Sequence, residues 1–265
     1  MTSPTEATTD NGSRGVPVIV NVLQVIRCFT SDEPLQGVTE IAPQVGLHKS
    51  SVSRILATLE EEHVVERDEA SRKYRLGLGL IAVAGPLLAN LDVRRIAMED
   101  LQTLCEITEE TVALAIWDGS AAVTVEQVPS PQKIKHTSAL GSRYTTGLSA
   151  SVQVILAHMD PDHARRLLSV CPISLDGDIT PDQYLRRLAD VRRDGYAVNY
   201  GETSEDEVGI SVPVMDHRGK VVATVLLAAP RYRTPTSAVP DLVASCRAAA
   251  RRISQRLGAA AEVSL

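Results

Sequence analysis

The stretch GLHKSSVSRILATLEEE, Gly46 to Glu62, decides the fold. Val52, Ile55, Leu56 and Leu59 recur at i, i+3, i+4 and i+7, the spacing of one buried stripe on an α-helix. The opposite side, near the N-terminal end, carries Lys49, Ser50, Ser51, Ser53 and Arg54, with no acid before Glu60. Short hydroxyls, two cations and free helix N–H groups suit phosphates and base edges. Just upstream, TEIAPQV (39–45) predicts a shorter helix capped by Thr39, with Pro43 in its first turn, where a missing N–H costs least. Gly46 predicts the tight turn between the two. A short helix, a Gly turn and a polar-fronted second helix form a helix-turn-helix pattern. An ordinary amphipathic surface helix shows the same stripe, so the flanks have to decide.

They favour DNA. Val64–Arg67 and Lys73–Leu76 are short β-like runs around Asp68–Arg72, which predicts a hairpin, a wing, with Arg72, Lys73 and Arg75 placed to grip backbone or enter a minor groove. The candidate DNA-contacting set is therefore Thr39, His48, Lys49, Ser50, Ser51, Ser53 and Arg54, with Arg72, Lys73 and Arg75 on the wing. Upstream, Val16–Thr30 predicts a first helix with Val18, Val22, Val25, Ile26 and Phe29 as its buried stripe. Downstream, LGLGLIAVAGPLLANL (76–91) is nearly all apolar, yet too short and too broken by Gly and Pro86 for a membrane span. A helix apolar on every side has to be buried, and a second copy of itself is the simplest partner. Leu80, Val83, Leu87 and Leu88 fall on one side of it.

The net charge of −6 at first argues against nucleic acid, and residues 15–77 hold seven basic against nine acidic side chains. The charge is segregated, however. His48–Ile55 has two cations and no acid, and Ala70–Gly77 has Arg72, Lys73 and Arg75 and no acid. Local fields, not domain sums, meet phosphates. A chain of 265 residues predicts two domains, and the four scattered cysteines, without a CxxC pair, read as reduced thiols of a cytoplasmic protein. Residues 1–15 are polar, unlike a signal peptide, and read as a disordered tail.

Beyond Asp92 the texture changes. Val93–Thr108 reads as helix; Thr111–Trp117 and Ala121–Val128 read as strands around an Asp-Gly turn, with Ile134–Ser138 as a third. Ser149–Met159, Pro161–Val170 and Pro181–Asp194 read as helices, Tyr196–Tyr200, Glu207–Met215 and Lys220–Ala229 as strands, and Asp241–Leu257 as a closing helix. Two clusters of strands around central helices predict an α+β sensor-type domain with one antiparallel sheet. Enzyme signatures are missing: there is no HExxH, no GxSxG, no phosphate-binding GxxxxGK[ST] and no metal-ligand spacing of histidine with cysteine. The acids Glu202, Glu205, Asp206 and Glu207 read as a solvated face. No catalytic residue, metal or cofactor is expected.

This order of parts resembles the IclR family of bacterial transcriptional regulators, from Val16 to about Gly258. The resemblance rests on HKSSVSRILATLEEEHVVERDEASRKYRLG (48–77), EETVALAIWDG (109–119), LADVRRDGYAVNYGE (188–202) and VGISVPVMDHRGKVVATVLLAAP (208–230). It implies a tail over 1–15, a winged helix-turn-helix over 16–77, a linker helix over 78–91, a GAF-like effector-binding domain over 92–258 and a tail over 259–265. It further implies a homodimer or dimer of dimers on double-stranded DNA with a pseudo-palindromic operator, most often repressing a catabolic operon under control of a small-molecule effector. The family's effector positions correspond here to Ala150, Ser151, Asn199, Gly209, Leu226 and Ala228. Two departures matter: Val152-Gln153-Val154 replaces a Gly-Lys-Ala step common in the family, and Leu226 and Ala228 replace serines. A wall without hydroxyls predicts an amphiphilic effector, an apolar or aromatic body with one anionic or hydroxyl end, its carboxylate held by Ser151, Asn199 and the backbone N–H groups near Ala150; Arg143 and Lys135 are unplaced candidates for the same charge, each more often a surface cation. The rival readings are an activator of the same family, an enzyme carrying a regulatory winged helix, and a winged helix that binds protein instead of DNA.

Overall fold

The computed structural model describes residues 16–30, 32–89, 92–137, 139–170, 173–175 and 179–260, without the side chains of 86–92 and 170. The tail expected at 1–15 and most of that at 259–265 lie outside the described residues. The chain forms two compact units, Met1–Asn90 and Leu91–Leu265.

In the first unit, helix α1 (Pro17–Arg27) opens with proline at its first position, where the absent N–H is not needed. Val22, Val25, Ile26 and Phe29 face the core as expected, but Val18 does not. It is 66% exposed, because exposure runs unbroken from Val16 through Val20 and this first turn extends past the residues the helix packs on. Helix α2 (Val38–Val45) is capped by Gly37 instead of Thr39. Glu40 Oε2 accepts the Gly37 N–H at 2.7 Å, so the reaching side chain comes from the helix's third residue and Thr39 lies exposed in the first turn. Pro43 consequently sits in the second turn. The helical bond it cannot donate would have gone to exposed Thr39, whose carbonyl water can satisfy. Gly46 ends the helix with φ 66°, the left-handed conformation that favours glycine, and starts the turn into α3 (Lys49–Glu61).

Val52, Leu56 and Leu59 of α3 pack with Val25, Phe29, Ile41, Val65 and Tyr74 in one core. Leu56 is fully buried, and truncating it to alanine would cost about 2–5 kcal/mol. Strands β1 (Val65–Arg67) and β2 (Tyr74–Leu76) pair antiparallel with Glu66 opposite Arg75. Gln36 adds a single bridge to this hairpin, exchanging two 2.9 Å backbone bonds with Tyr74. After the wing the chain passes so close to the end of α3 that a Cβ on Gly77 or Gly79 would lie 2.4 or 2.5 Å from the His63 carbonyl oxygen. The Gly-Leu-Gly step is thus a steric requirement of the closing turn. Helix α4 (Gly79–Ala89) follows, with Ile81 and Val83 exposed by 60% and 75%. Leu87 and Leu88, expected beside Val83, have side chains outside the described ones.

The second unit opens with α5 (Asp92–Thr108), then β3 (Thr111–Trp117), β4 (Ala122–Val128) and the two-residue β5 (Arg143–Tyr144). Helices α6 (Ala150–Ala157), α7 (Pro161–Val170) and α8 (Pro181–Asp194) follow, then β6 (Ala197–Tyr200), β7 (Glu207–Met215), β8 (Val221–Pro230) and α9 (Val239–Arg256). The six strands form one antiparallel sheet in the order β5-β4-β3-β8-β7-β6. One expected strand is absent. Described residues of 134–138 are irregular, because the segment is held by side chains instead of a ladder: Thr111 Oγ1 donates to the His136 carbonyl at 2.6 Å and Lys135 Nζ to the Ser130 carbonyl at 2.8 Å. The edge position belongs to β5.

Alternation divides the sheet into two faces. Val112, Leu114, Ile210, Val212, Val225 and Leu227 pack with α5 and α9, while Ala113, Ala115, Ala197 and Leu226 pack with α6 and α8. An antiparallel sheet with helices on both sides is the α+β architecture expected. Among the described residues no helix is long and apolar enough to cross a membrane.

Candidate nucleic-acid interface and effector site

The first turn of α3 is built by His48. Its extended backbone caps the helix, and its Nδ1 lies 2.9 Å from Ser50 Oγ and 3.4 Å from the Ser50 N–H. Histidine is an unusual cap, and it fixes the Ser50 hydroxyl at the tip. With Val52, Leu56 and Leu59 anchored in the core, Lys49, Ser50, Ser53 and Arg54 are exposed on the opposite face and Ser51 is half-buried. Among the described residues Lys49 and Arg54 pair with no carboxylate, so their charges face solvent. Thr39, exposed in the first turn of α2, belongs to the same helix-turn-helix.

The wing is more constrained than its charge pattern suggests. Asp68 accepts the Ser71 N–H at 2.8 Å and its hydroxyl at 2.5 Å, bonds that hold the Asp68 carboxyl below its usual range. Arg72 takes φ 58°, an uncommon backbone for a residue with a Cβ. Lys73 donates to Glu40 of α2 at 2.6 Å, and Arg75 to its cross-strand partner Glu66 at 3.1 Å. Of the three expected wing cations, only Arg72 is unpaired among the described residues. The two pairs are exposed, weak and exchangeable for phosphate. Arg67, stacked 5.6 Å over the Tyr74 ring, is a further wing cation that the sequence reading passed over.

In the second unit, the six expected effector positions converge at the N-terminal end of α6. Asn199, Gly209 and Ala228 are direct neighbours across β6, β7 and β8, and Leu226 stands opposite Ser211 in the next row. A Cβ on Gly209 would lie 3.8 Å from Ala150, Asn199 and Leu226 alike, so Gly209 leaves room for about one methyl group at the centre. Ala150 and Ser151, the first residues of α6, are both buried.

Three details correct the sequence reading. The wall has hydroxyls: Ser151 Oγ lies 3.4 Å from Ser211 Oγ, and Thr224, fully buried, shares the face of Leu226 with no partner for its own hydroxyl. Alternation with Leu226 and Gly209 was the signal that would have found Thr224 and Ser211. Asn199 is already engaged: its carbonyl oxygen accepts the Glu202 N–H at 2.8 Å and its amide donates to Thr203. Arg143 and Lys135 are engaged too, Arg143 with Asp118 and Ser120 and Lys135 with the Ser130 carbonyl. Both are exposed, the surface cations that the sequence favoured.

The loop before α6 is clamped from below. Tyr184, fully buried on α8, donates its hydroxyl to the Gly147 carbonyl at 2.6 Å, and burial pushes its ionisation well above the usual range. Gln153 donates to the Leu148 carbonyl at 2.8 Å and accepts from Arg187, which in turn holds Glu202 through two hydrogen bonds of 2.7 and 2.6 Å. Glu202, expected on a solvated face, is thereby tied into the site's frame.

A helix-turn-helix with a free basic edge, carried on the same chain as a sheet domain that gathers buried hydroxyls and small apolar groups under a helix terminus, defines a ligand-responsive, DNA-binding transcriptional regulator. The profile described as the IclR helix-turn-helix domain matches residues 18–69, and that of the bacterial transcriptional regulator IclR C-terminal matches residues 86–255. The chain belongs to the IclR family. The transcriptional regulator KdgR of Escherichia coli (strain K12) is 29% identical, covering 94% of this chain and 95% of the relative. The regulator Rv1719 of Mycobacterium tuberculosis is 30% identical over 83% of this chain and 84% of its own. The structure of an IclR homolog from Microbacterium hydrocarbonoxydans complexed with 4-hydroxybenzoate superposes with a TM-score of 0.75, at 25% identity, covering 91% of this chain and 98% of that one. Family and relatives make the protein a regulator, not an enzyme.

Proposed function

We propose that the protein represses a catabolic operon, gripping a pseudo-palindromic operator as a homodimer or dimer of dimers and switching on a small organic acid with an aromatic or otherwise apolar body. The observation that carries the effector half is the mixture at the N-terminal end of α6. Ala150, Leu226 and Ala228 supply apolar wall and Ser151 and Ser211 supply hydroxyls, with the unpartnered Thr224 two residues beyond Leu226 on the same face of β8. A buried hydroxyl without a partner costs about 1–3 kcal/mol, which a ligand bearing one polar end would recover. The neighbour solved with 4-hydroxybenzoate, an aromatic ring with a carboxylate and a hydroxyl, supports the same class of effector.

The DNA half draws on unpaired Lys49 and Arg54 above an anchored recognition helix, with the polar residues of α3 and the wing named above as contacts. Two half-sites call for two copies. The apolar exposed residues Val18, Ile19 and Leu23 of α1, with Ile81 and Val83 of α4, are the surface a second copy would cover. The site of action is the cytoplasm, where the DNA is.

A thermal-shift screen pairing two- and three-carbon acids with benzoates, phenylacetates and their hydroxylated relatives tests the effector. It is read beside binding to the DNA upstream of the protein's own gene. Stabilisation by a hydroxylated aromatic acid, lost in Thr224→Val and accompanied by release of the DNA, is the expected result. Stabilisation by the smallest acids alone would overturn the effector class, and tighter DNA binding with ligand would overturn repression by release.

A further inference from the structure

At the other end of α6, seven residues and roughly 10 Å along the helix axis from Ala150, a cleft of about 430 Å³ opens beside the sheet. Trp117 at the end of β3, Ile155, His158 and Met159 at the end of α6, Lys220 of the β7–β8 turn and Val222 at the start of β8 line it. None of these residues belongs to the effector positions described above. The cleft combines an apolar slot with two polar groups of opposite hydrogen-bonding sense.

His158 ends α6 with Nδ1 2.9 Å from the Val154 carbonyl oxygen. A carbonyl only accepts, so Nδ1 carries the proton and Nε2 of the neutral ring keeps its lone pair. Burial is the main cause that keeps the ring neutral, and the nearby Arg192 charge adds to it. Lys220 is exposed on the turn, and its ammonium has no partner among the described residues. Its backbone N–H is fixed by Asp216 at 3.0 Å, so the turn that presents the amine is itself held. Arg192, 3.5 Å from the carbonyl oxygens of Ala157 and Met159, adds a second positive charge beside the mouth. Trp117 and Met159 are half-buried against the neighbouring core, which leaves a sulfur and an indole surface for a flat ring.

We propose that this cleft is a second small-molecule site, taking an aromatic carboxylic acid that also carries a hydroxyl or N–H donor. The carboxylate meets Lys220, the ring lies against Trp117 and Met159, and the donor points to His158 Nε2. Its volume lies within the range of small-ligand pockets and suits a molecule of one ring with a short acid arm.

Trp117 is the only tryptophan of the chain, so the emission comes from a residue lining this cleft. The full-length protein is titrated with 4-hydroxyphenylacetate, phenylacetate and 4-hydroxyphenylethanol, following Trp117 fluorescence. The first should give a saturable change. Removing its hydroxyl or its carboxylate, or making Lys220→Gln or His158→Phe, should each weaken binding about tenfold, the scale of one hydrogen bond to a charged or buried partner. Gly209→Ala, which takes up the room for one methyl group at the centre of the effector positions at the other end of α6, should leave the change intact. Absence of any saturable change with 4-hydroxyphenylacetate would overturn the proposal. So would a change that Lys220→Gln and His158→Phe leave untouched, or one that Gly209→Ala abolishes, since the ligand then sits at the effector positions. Lys220 is exposed, so its variant tests the site without threatening the fold.

Discussion

Gln153 of α6 accepts a 2.7 Å hydrogen bond from Arg187 of α8, although Gln153 is 1% exposed. Through this one contact the loop before α6, the helix itself and the β6–β7 turn become a single frame. Gln153 holds the Leu148 carbonyl, Arg187 holds Glu202, and the Glu202 N–H is held by Asn199. The frame surrounds the effector positions on two sides.

Gln153→Leu keeps the volume and removes both hydrogen bonds of this side chain. The Leu148 carbonyl and Arg187 Nε then lose their partners in a buried setting. The expected loss is about 1–3 kcal/mol of stability in denaturant titration, together with a weaker response to the effector. A variant as stable and as responsive as the parent would show that the frame is incidental.

Arg54 and Arg72 are expected to fail differently. Arg54, unpaired on the recognition helix, should cost about 1–3 kcal/mol of operator binding when changed to alanine, and preference at one base should relax. Arg72→Ala should instead lower the slope of log K against log salt by about one, with sequence preference unchanged. Lys73→Ala and Arg75→Ala should lower it less, because each already neutralises a carboxylate in the free protein, Glu40 and Glu66. Anisotropy titrations on specific and scrambled DNA at several salt concentrations decide the matter. Equal losses on both DNAs for Arg54→Ala would reduce it to a phosphate contact.

Much of this was legible because periodicity survives burial. The stripe Val52, Ile55, Leu56, Leu59 marks a helix with one wet side, and Val208, Ile210, Val212 and Val214 alternate as a strand does. What escaped depends on which of several competing groups wins a contact, whether the partner is near in the chain or far. The cap of α2 is Gly37 because Glu40 reaches back to it, a contact that outcompeted the hydroxyl of Thr39. Residues 134–137 stay irregular because Thr111 and Ser130 capture them. A two-residue strand such as Arg143–Tyr144 has no period to read, and its pairing with Val123 and Ala122 is set by the sheet. At the proposed effector positions the residues sharing one face of the sheet were readable, whereas which polar groups are already engaged was not. Asn199, Arg143 and Lys135 look free in a sequence, and Thr224 looks like ordinary strand.

The exposed apolar surface on α4 predicts self-association. Ile81→Asp and Val83→Asp place a carboxylate where a second copy would bury it, an unpaired charge costing on the order of 3–5 kcal/mol. Both positions are exposed in the single chain, so its own folding should be unaffected. Sedimentation should show a smaller species, and operator affinity should fall in parallel, because two half-sites are gripped at once. A mutant that remains fully associated would move the interface elsewhere.

His158 should make the second unit acid-sensitive. Burial, with help from Arg192, holds the folded imidazole below its ordinary value of 6.5, while the bond to Val154 only partly opposes this. The unfolded chain therefore takes up its proton at higher pH than the folded one. Between 6.5 and the lowered native value the unfolded state binds more protons, so stability falls as pH falls through that window. Above 6.5 the neutral ring's contribution is complete. His158→Asn can keep an N–H toward the Val154 carbonyl but cannot titrate. Urea midpoints measured from about pH 7.5 to about pH 5 should therefore decline less steeply in this variant than in the parent. Parallel declines would mean that other groups set the acid limit. A ligand that donates to Nε2 binds only the neutral ring, so saturating 4-hydroxyphenylacetate should shift the parent's decline to lower pH and leave that of His158→Asn where it was.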